Sequence, residues 1–223
     1  MARILRIDLT TRKGSWEDLS QAYAGLGGRG LSSAIVAAEV PPMADPLGPE
    51  NVIVLAPGIL AATSIPNNSR LSVGGKSPLT GTIKEANSGG AVSQKIARLG
   101  IAAVVIQGAS AEPVTVSISN DGVSFHPADT LWGMGSYATV EQLKGQYPGS
   151  AMVTIGPAGE KGLKAAAVIV TTPDYHLRTA ARGADGALRT ACARASRSTS
   201  SSRRARWWPS RSPRTPSGTR ARR

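Results

Sequence analysis

A break in composition near residue 187 most constrains what this chain can fold into. Residues 187–223 hold 11 of the chain's 26 basic residues, all arginine, and no lysine, aspartate or glutamate. They also lack Ile, Val, Met, Phe and Tyr, so they offer too little apolar surface to offset the entropy of ordering them. We therefore expect a folded domain over residues 1–186 and a disordered basic tail over 187–223.

The tail admits two interpretations. A basic arm would bind RNA or another polyanion, with arginines at the phosphates and Trp207-Trp208 stacked on bases. Out-of-frame translation of GC-rich codons would yield the same set of amino acids, and the composition favours this second interpretation. The first 186 residues carry 15 basic against 14 acidic side chains, so nucleic-acid binding is not expected outside the tail.

The first 186 residues show short strand and helix patterns in an irregular order. About eight strands and four or five helices are predicted, which favours an α+β fold over a doubly wound parallel sheet. No internal repeat is evident. The predicted helices cover 16–24 and 31–40, then a stretch that opens at Asn87-Ser-Gly-Gly90 and runs to Leu99, then 137–147, and a last helix that starts at Leu177.

Two glycine-rich motifs resemble nucleotide sites but fail their structural requirements. Gly25-x-Gly27-x-x-Gly30 matches a dinucleotide fingerprint, yet a predicted helix precedes it where a strand is required. Gly75-Lys76-Ser77 resembles the end of a phosphate-binding loop, but Arg70 occupies the position of the first glycine and Pro78 follows. We predict neither site.

Few residues are suited to metal binding or acid–base chemistry. The chain has one cysteine, Cys192, and two histidines, His126 and His176. One thiol provides neither a disulfide framework nor a cysteine zinc site, and paired carboxylates at a convincing spacing are absent. No catalytic residue and no metal ligand is therefore predicted.

An anion-binding surface is the functional feature that the residues themselves favour most. The predicted helix start at Asn87-Ser-Gly-Gly90 would present backbone N–H groups to an anion, and Arg70 lies upstream in a Gly/Asn-rich loop. Arg178 and Arg182 would share one face of the last predicted helix. Three arginines and a glycine-rich turn suit a phosphorylated ligand, although a capped helix with solvated arginines explains the same pattern.

The ordered set of motifs resembles the N-terminal domain of the tungsten-dependent aldehyde:ferredoxin oxidoreductase family. The resemblance covers roughly residues 1–186. Its motifs are Gly27-Gly-Arg-Gly-Leu31, Asn68-Ser-Arg70, Gly75-Lys-Ser-Pro-Leu-Thr-Gly81, Ala86-Asn-Ser-Gly-Gly90, Ile155-Gly-Pro-Ala-Gly-Glu160 and Arg178-Thr-Ala-Ala-Arg-Gly183.

The resemblance implies two β-sheets with packed helices that cradle a bis-pterin cofactor of tungsten or molybdenum. By that resemblance, Arg70 would lie between the pterin and an iron–sulfur cluster. Asn87 and Gly89 would contact the pterin phosphate or a bridging Mg²⁺. Residues of the last motif would contact the second pterin: Arg178, Thr179, Ala181 and Arg182.

The resemblance also implies the activity of the intact enzyme. It would oxidise an aldehyde and pass electrons through a [4Fe–4S] cluster to ferredoxin. The cluster cysteines and the substrate pocket belong to later domains of the family, so we expect this chain alone to be inactive. A cytoplasmic location without a membrane span is expected, because no apolar stretch approaches the ~20 residues that cross a bilayer. The sequence leaves open whether the protein forms a homodimer.

The sequence departs from the family pattern after Gly183. The expected motif G-S-K-x-L-K-A is replaced by Ala187-Leu188-Arg189-Thr190-Ala191, at the point where the arginine-rich composition begins. A frameshift would produce that coincidence. The loss of the following helix puts the contacts expected at the last motif in question.

Overall fold

The computed structural model describes residues 2–182 and 191–195, which form two six-stranded sheets. The first sheet has the strand order β2-β1-β6-β3-β4-β5 and the second has the order β11-β10-β9-β12-β7-β8. The strands of the first sheet are β1 (Arg3–Asp8), β2 (Lys13–Asp18), β3 (Ile53–Pro57), β4 (Arg70–Lys76), β5 (Ile83–Gly89) and β6 (Ile101–Gln107). Those of the second are β7 (Val114–Ser119), β8 (Gly122–Pro127), β9 (Ala151–Thr154), β10 (Ala167–Thr171), β11 (Leu177–Arg182) and β12 (Ala191–Ala195).

Four α-helices accompany the sheets. They are α1 (Gly28–Glu39), α2 (Val92–Arg98), α3 (Ser136–Gln146) and α4 (Gly156–Glu160). The predicted α+β class and the predicted pair of sheets with packed helices are confirmed. None of the helices in the described residues is long and apolar enough to span a membrane.

The two sheets have the same topology, although the sequence shows no repeat. In each, a hairpin (β1–β2 or β7–β8) pairs in parallel with the last strand of that half, β6 or β12. Each last strand then pairs antiparallel with the third strand, which starts a three-stranded meander, β3-β4-β5 or β9-β10-β11. The body is thus a structural duplication, because the strand pairing is matched while the side chains differ.

Alternation along the strands explains how the layers pack. Leu5 and Ile7 of β1 enter the cluster shared by the two sheets, while Ile4 faces α1. On α1, Leu31 and Ile35 lie one turn apart and are fully buried against the outer face of the first sheet. Helix α3 covers the outer face of the second sheet in the same way. The order of layers is therefore helix, sheet, sheet, helix.

Two predicted helices and the start of a third are wrong, because strand pairing prevails over the local pattern. The segment 16–24 contributes to β2, where Trp16 pairs with Leu5, and then to a short 3-10 turn. Asn87 and Gly89 lie in β5, and α2 begins only at Val92. The residues after Leu177 form β11 along β10, so Arg178 and Arg182 do not share a helix face.

The expected tail disorder does not hold for residues 191–195. These five residues form β12 between β9 and β7, whose facing backbone groups would otherwise lack partners. The remainder of the 187–223 segment, including Trp207 and Trp208 and the proposed polyanion-binding arm, lies outside the described residues.

Buried Asn51 ties the start of β3 to the end of β4. Its side-chain amide donates to the carbonyls of Pro46 (2.7 Å) and Lys76 (3.0 Å), and its oxygen accepts from the backbone N–H groups of Val52 and Lys76 (2.9 Å each). The side chain therefore replaces backbone pairing at the edge of the ladder.

We expect Asn51→Ala to lower the free energy of unfolding by about 3 kcal/mol, because it leaves buried backbone groups without partners. Urea denaturation measures the change, with the exposed Asn120→Ala as the matched control. A loss below about 1 kcal/mol would show that water replaces the amide at no appreciable cost.

Candidate functional site

The candidate site lies where the outer strands of the two meanders meet. Strand β11 lies against β4 and β5. Beyond β5, the Ala91 N–H donates to the carbonyl of Thr171 at the end of β10 (2.9 Å). Gly90 makes this approach possible: its φ is 150°, and a Cβ atom there would lie 2.7 Å from the Thr171 carbonyl oxygen.

A cleft of about 700 Å³ opens at this junction. Both halves of the duplication contribute to its walls. The first half supplies Ser69, Arg70, Gly89, Gly90, Ala91, Gln94, Lys95 and Arg98, and the second supplies Gly149, Ser150, Thr172, Pro173 and Arg178. The volume is within the range of small-molecule and cofactor sites.

The charged side chains that the described residues contribute to the cleft are all positive. Arg70, Lys95, Arg98 and Arg178 line it, and no carboxylate of the described residues does. Among the described residues, no carboxylate lies within ion-pair distance of Arg70, Arg98 or Arg178. Convergent uncompensated guanidinium groups favour an anionic ligand, and their planar geometry suits phosphate.

The Arg70 guanidinium is held in place at the cleft. Its Nε donates to the side-chain oxygen of Asn87, and its Nη1 lies 3.6 Å from the position that a Cβ of Gly89 would occupy. Arg70 and Gly89 are register partners in the β4–β5 pair. A side chain at position 89 would therefore occupy the space beside the guanidinium.

Hydrogen bonds fix the rim next to Arg70. The Ser69 hydroxyl donates to the carbonyl of Gly90 (2.7 Å) and lies 2.9 Å from the Ser93 hydroxyl. The Gln94 amide donates to the side-chain oxygen of Asn68 (2.9 Å). The loop before β4 is thus joined to α2 directly at the cleft.

The structure brings three of the seven predicted site residues to the lining: Arg70, Gly89 and Arg178. Asn87 lies beside the cleft and contacts Arg70. Thr179, Ala181 and Arg182 follow Arg178 along β11, and Thr179 is not among the lining residues. The interpretation of a helix N-terminus at Asn87 is corrected, since Asn87 and Gly89 lie in β5 and α2 begins at Val92.

Sequence reasoning missed the two cations that α2 supplies, Lys95 and Arg98. They occupy the last turn of the helix, three residues apart, so both can lie on one side of it. The spacing of Lys95 and Arg98 indicates that they share a helix face. That this face borders the cleft follows only from the close approach of Gly90 to the second sheet.

No described group of residues is arranged as a metal centre. Among the residues whose side chains the structure describes, 2–180, no three His, Cys, Asp or Glu side chains converge. His126 packs its ring near that of Tyr147, with 6.3 Å between centroids. The His176 N–H donates to the Thr172 hydroxyl in the turn between β10 and β11.

Comparisons with known proteins agree with this fold. The family model described as "Aldehyde ferredoxin oxidoreductase, N-terminal domain" matches residues 4–191. In a solved structure titled "Active site complex BamBC of Benzoyl Coenzyme A reductase in complex with 1,5 Dienoyl-CoA", one chain superposes with a TM-score of 0.79 at 27% identity. The match covers 87% of this chain and 30% of the other.

Curated relatives extend the agreement to sequence. The tungsten-containing aldehyde ferredoxin oxidoreductase of Thermococcus kodakarensis is 38% identical over 190 residues, which are 83% of this chain and 31% of that protein. The protein of the same name from Pyrococcus furiosus is 37% identical over 191 residues, with the same coverage. The chain thus spans about a third of the length of these relatives. It belongs to the aldehyde ferredoxin oxidoreductase family and corresponds to the N-terminal domain of that family.

Proposed function

We propose that this chain is the cofactor-binding N-terminal part of an oxidoreductase that oxidises aldehydes and passes electrons to ferredoxin. The cationic cleft between the two sheets is the observation that carries the proposal. Its ligand would be a bis-pterin cofactor of tungsten or molybdenum, as the tungsten-containing relatives suggest.

The residues present fit such a group. A pterin cofactor carries a phosphate, and the cleft offers three guanidinium groups without carboxylate partners among the described residues. Gly89 leaves open the space beside Arg70 that a side chain would fill, so a ligand can approach the backbone there. The flat face of an arginine also stacks on a planar ring.

In this proposal Arg70 and Arg178 hold the ligand from opposite halves of the fold. Gly89 lets the ligand approach the backbone closely, and Asn87 accepts a hydrogen bond from Arg70 beside the ligand. Thr179, Ala181 and Arg182 extend the binding surface along β11, and Mg²⁺ would bridge pterin phosphates. When bound, the metal centre supplies the two-electron redox chemistry; the protein's residues bind, orient and neutralise the charge of the cofactor.

The chain alone is proposed to be inactive. A [4Fe–4S] cluster takes four cysteine thiolates, and this sequence has one. The cluster, the aldehyde pocket and the ferredoxin contact would come from the two thirds of the relatives' length that the chain does not match.

Expression in a host that makes the pterin cofactor, with tungstate or molybdate supplied, tests this function. We expect pterin, measured by the fluorescence of its oxidised form, and metal, measured by mass spectrometry, to co-purify with the folded chain without aldehyde oxidation. Folded chain free of pterin would contradict cofactor binding, and aldehyde turnover would contradict the proposed inactivity.

A further inference from the structure

A stripe of polar side chains runs along one face of the β4–β5 pair toward the cleft. The register pairs Gly74 with Glu85, Ser72 with Asn87, and Arg70 with Gly89. Because side chains alternate along strands, these six positions share one face. The neighbouring positions Leu71, Val73 and Ala86 face the apolar cluster between the sheets.

A clamp joins the far end of this stripe to α1. The Glu85 carboxylate is only 7% exposed; it accepts from Arg29 Nε (2.7 Å) and from the Ser72 hydroxyl (2.7 Å). The Ser72 hydroxyl also lies 2.7 Å from that of Ser32 on α1. A Cβ at Gly74 would lie 3.0 Å from the Cβ of Ser32, so the close approach of helix and strand depends on a glycine there.

The clamp gives a role to the glycine motif that fails as a dinucleotide fingerprint. Gly27 precedes the first residue of α1, and Arg29 lies in its first turn. The motif therefore begins the helix whose arginine holds β5 in place through Glu85. Toward the other end of β5, the side-chain oxygen of Asn87 accepts a hydrogen bond from Arg70.

The Arg70–Asn87 contact fixes the orientation of both side chains. Arginine only donates hydrogen bonds, so the atom of Asn87 that faces Arg70 Nε must be its oxygen. The Asn87 amide N–H groups then face away from Arg70, and they have no acceptor among the residues that the structure describes. They remain available to donate to an anion beside Arg70.

We infer that Asn87 is a positioning residue: its side-chain oxygen fixes the Arg70 guanidinium beside Gly89, on a strand pair that the Arg29–Glu85 clamp holds to α1. The consequence for ligand binding rests on the proposed function, since Arg70 matters to a cofactor only if the cleft binds one. The orientation of Arg70 itself does not depend on any ligand.

Hydrogen exchange at the arginine Nε–H groups, followed by ¹⁵N NMR of the ligand-free chain, tests the inference. We expect the Arg70 Nε–H to exchange about ten-fold faster in Asn87→Ala and in Asn87→Leu, which keeps side-chain volume without an acceptor. Asn87→Asp should restore slow exchange, because a carboxylate accepts the same bond. The Nε–H of Arg178, which does not contact Asn87, is the internal control.

Unchanged Arg70 exchange in both Asn87→Ala and Asn87→Leu would overturn the inference. Pyrophosphate titration of the same proteins separates it from the proposed function. If wild-type chain with slow Arg70 exchange binds no pyrophosphate, anion binding by the cleft fails while the positioning role of Asn87 stands. If wild-type chain binds pyrophosphate, we expect about ten-fold weaker binding in Asn87→Ala.

Discussion

Replacing Arg70 and Arg178 together by methionine is expected to weaken pyrophosphate binding by about 100-fold or more. A charge-assisted hydrogen bond contributes about 1.5–3 kcal/mol, so each arginine accounts for at least about a ten-fold change in affinity. The two residues come from different halves of the fold and line the same cleft. Their effects should be close to additive if they hold different oxygens of the ligand.

Isothermal titration calorimetry at fixed ionic strength measures this effect. The matched control is Lys161→Met with Lys164→Met, which removes the same charge from two exposed positions outside the cleft. Equal losses in the two double variants would show that pyrophosphate responds to net charge alone. A loss confined to the arginine pair would support a defined anion site.

Gly90→Ala is expected to lower the free energy of unfolding by about 3 kcal/mol or more. Alanine at a φ of 150° is strained, and its Cβ would lie 2.7 Å from the Thr171 carbonyl oxygen. Relief requires the ends of β5 and β10 to move apart, which would break the Ala91–Thr171 hydrogen bond. Pyrophosphate affinity should fall with stability, because both halves of the fold form the cleft.

Gly122→Ala separates the two causes of this loss. Gly122 also has a positive φ, 121°, but nothing lies within 4 Å of its Cβ position. Urea denaturation should show a loss of about 1 kcal/mol for this control. Equal losses at positions 90 and 122 would mean that the close approach to Thr171 costs nothing beyond backbone strain.

The sequence predicted those elements whose own apolar pattern shows which face is buried. Ile4, Ile7 and Leu9 indicated a first strand, which the structure has as β1, and the apolar run after Gly30 indicated α1. The same reasoning failed at Arg178–Arg182, where Thr, Ala and Arg carry no strong strand signal. Strand β11 exists because β10 offers it a pairing edge, and such long-range pairing cannot be deduced from a single segment.

Some residues of the candidate site could be predicted from the sequence, but the way in which the fold brings them together could not. The sequence indicated Arg70, Gly89 and Arg178 as anion-binding residues, and the structure places all three at one cleft. Asn87-Ser-Gly-Gly90 has the composition of a helix start, yet pairing with β4 draws its first three residues into β5. Helix α2 contributes to the cleft because Gly90 lies against Thr171. This long-range contact cannot be predicted from the local sequence.

The duplicated topology has a consequence for the order in which the chain acquires structure. All strands of the first sheet lie within residues 3–107, so they can pair before the second half leaves the ribosome. The inner face of that sheet, with Leu5, Ile7 and Leu55, is covered partly by α2 and otherwise by the second sheet. The second sheet is complete only when residues 191–195 take their place between β9 and β7. The nascent chain therefore carries a partly uncovered apolar face for roughly half of its synthesis, and during this interval a chaperone would have the most apolar surface to bind.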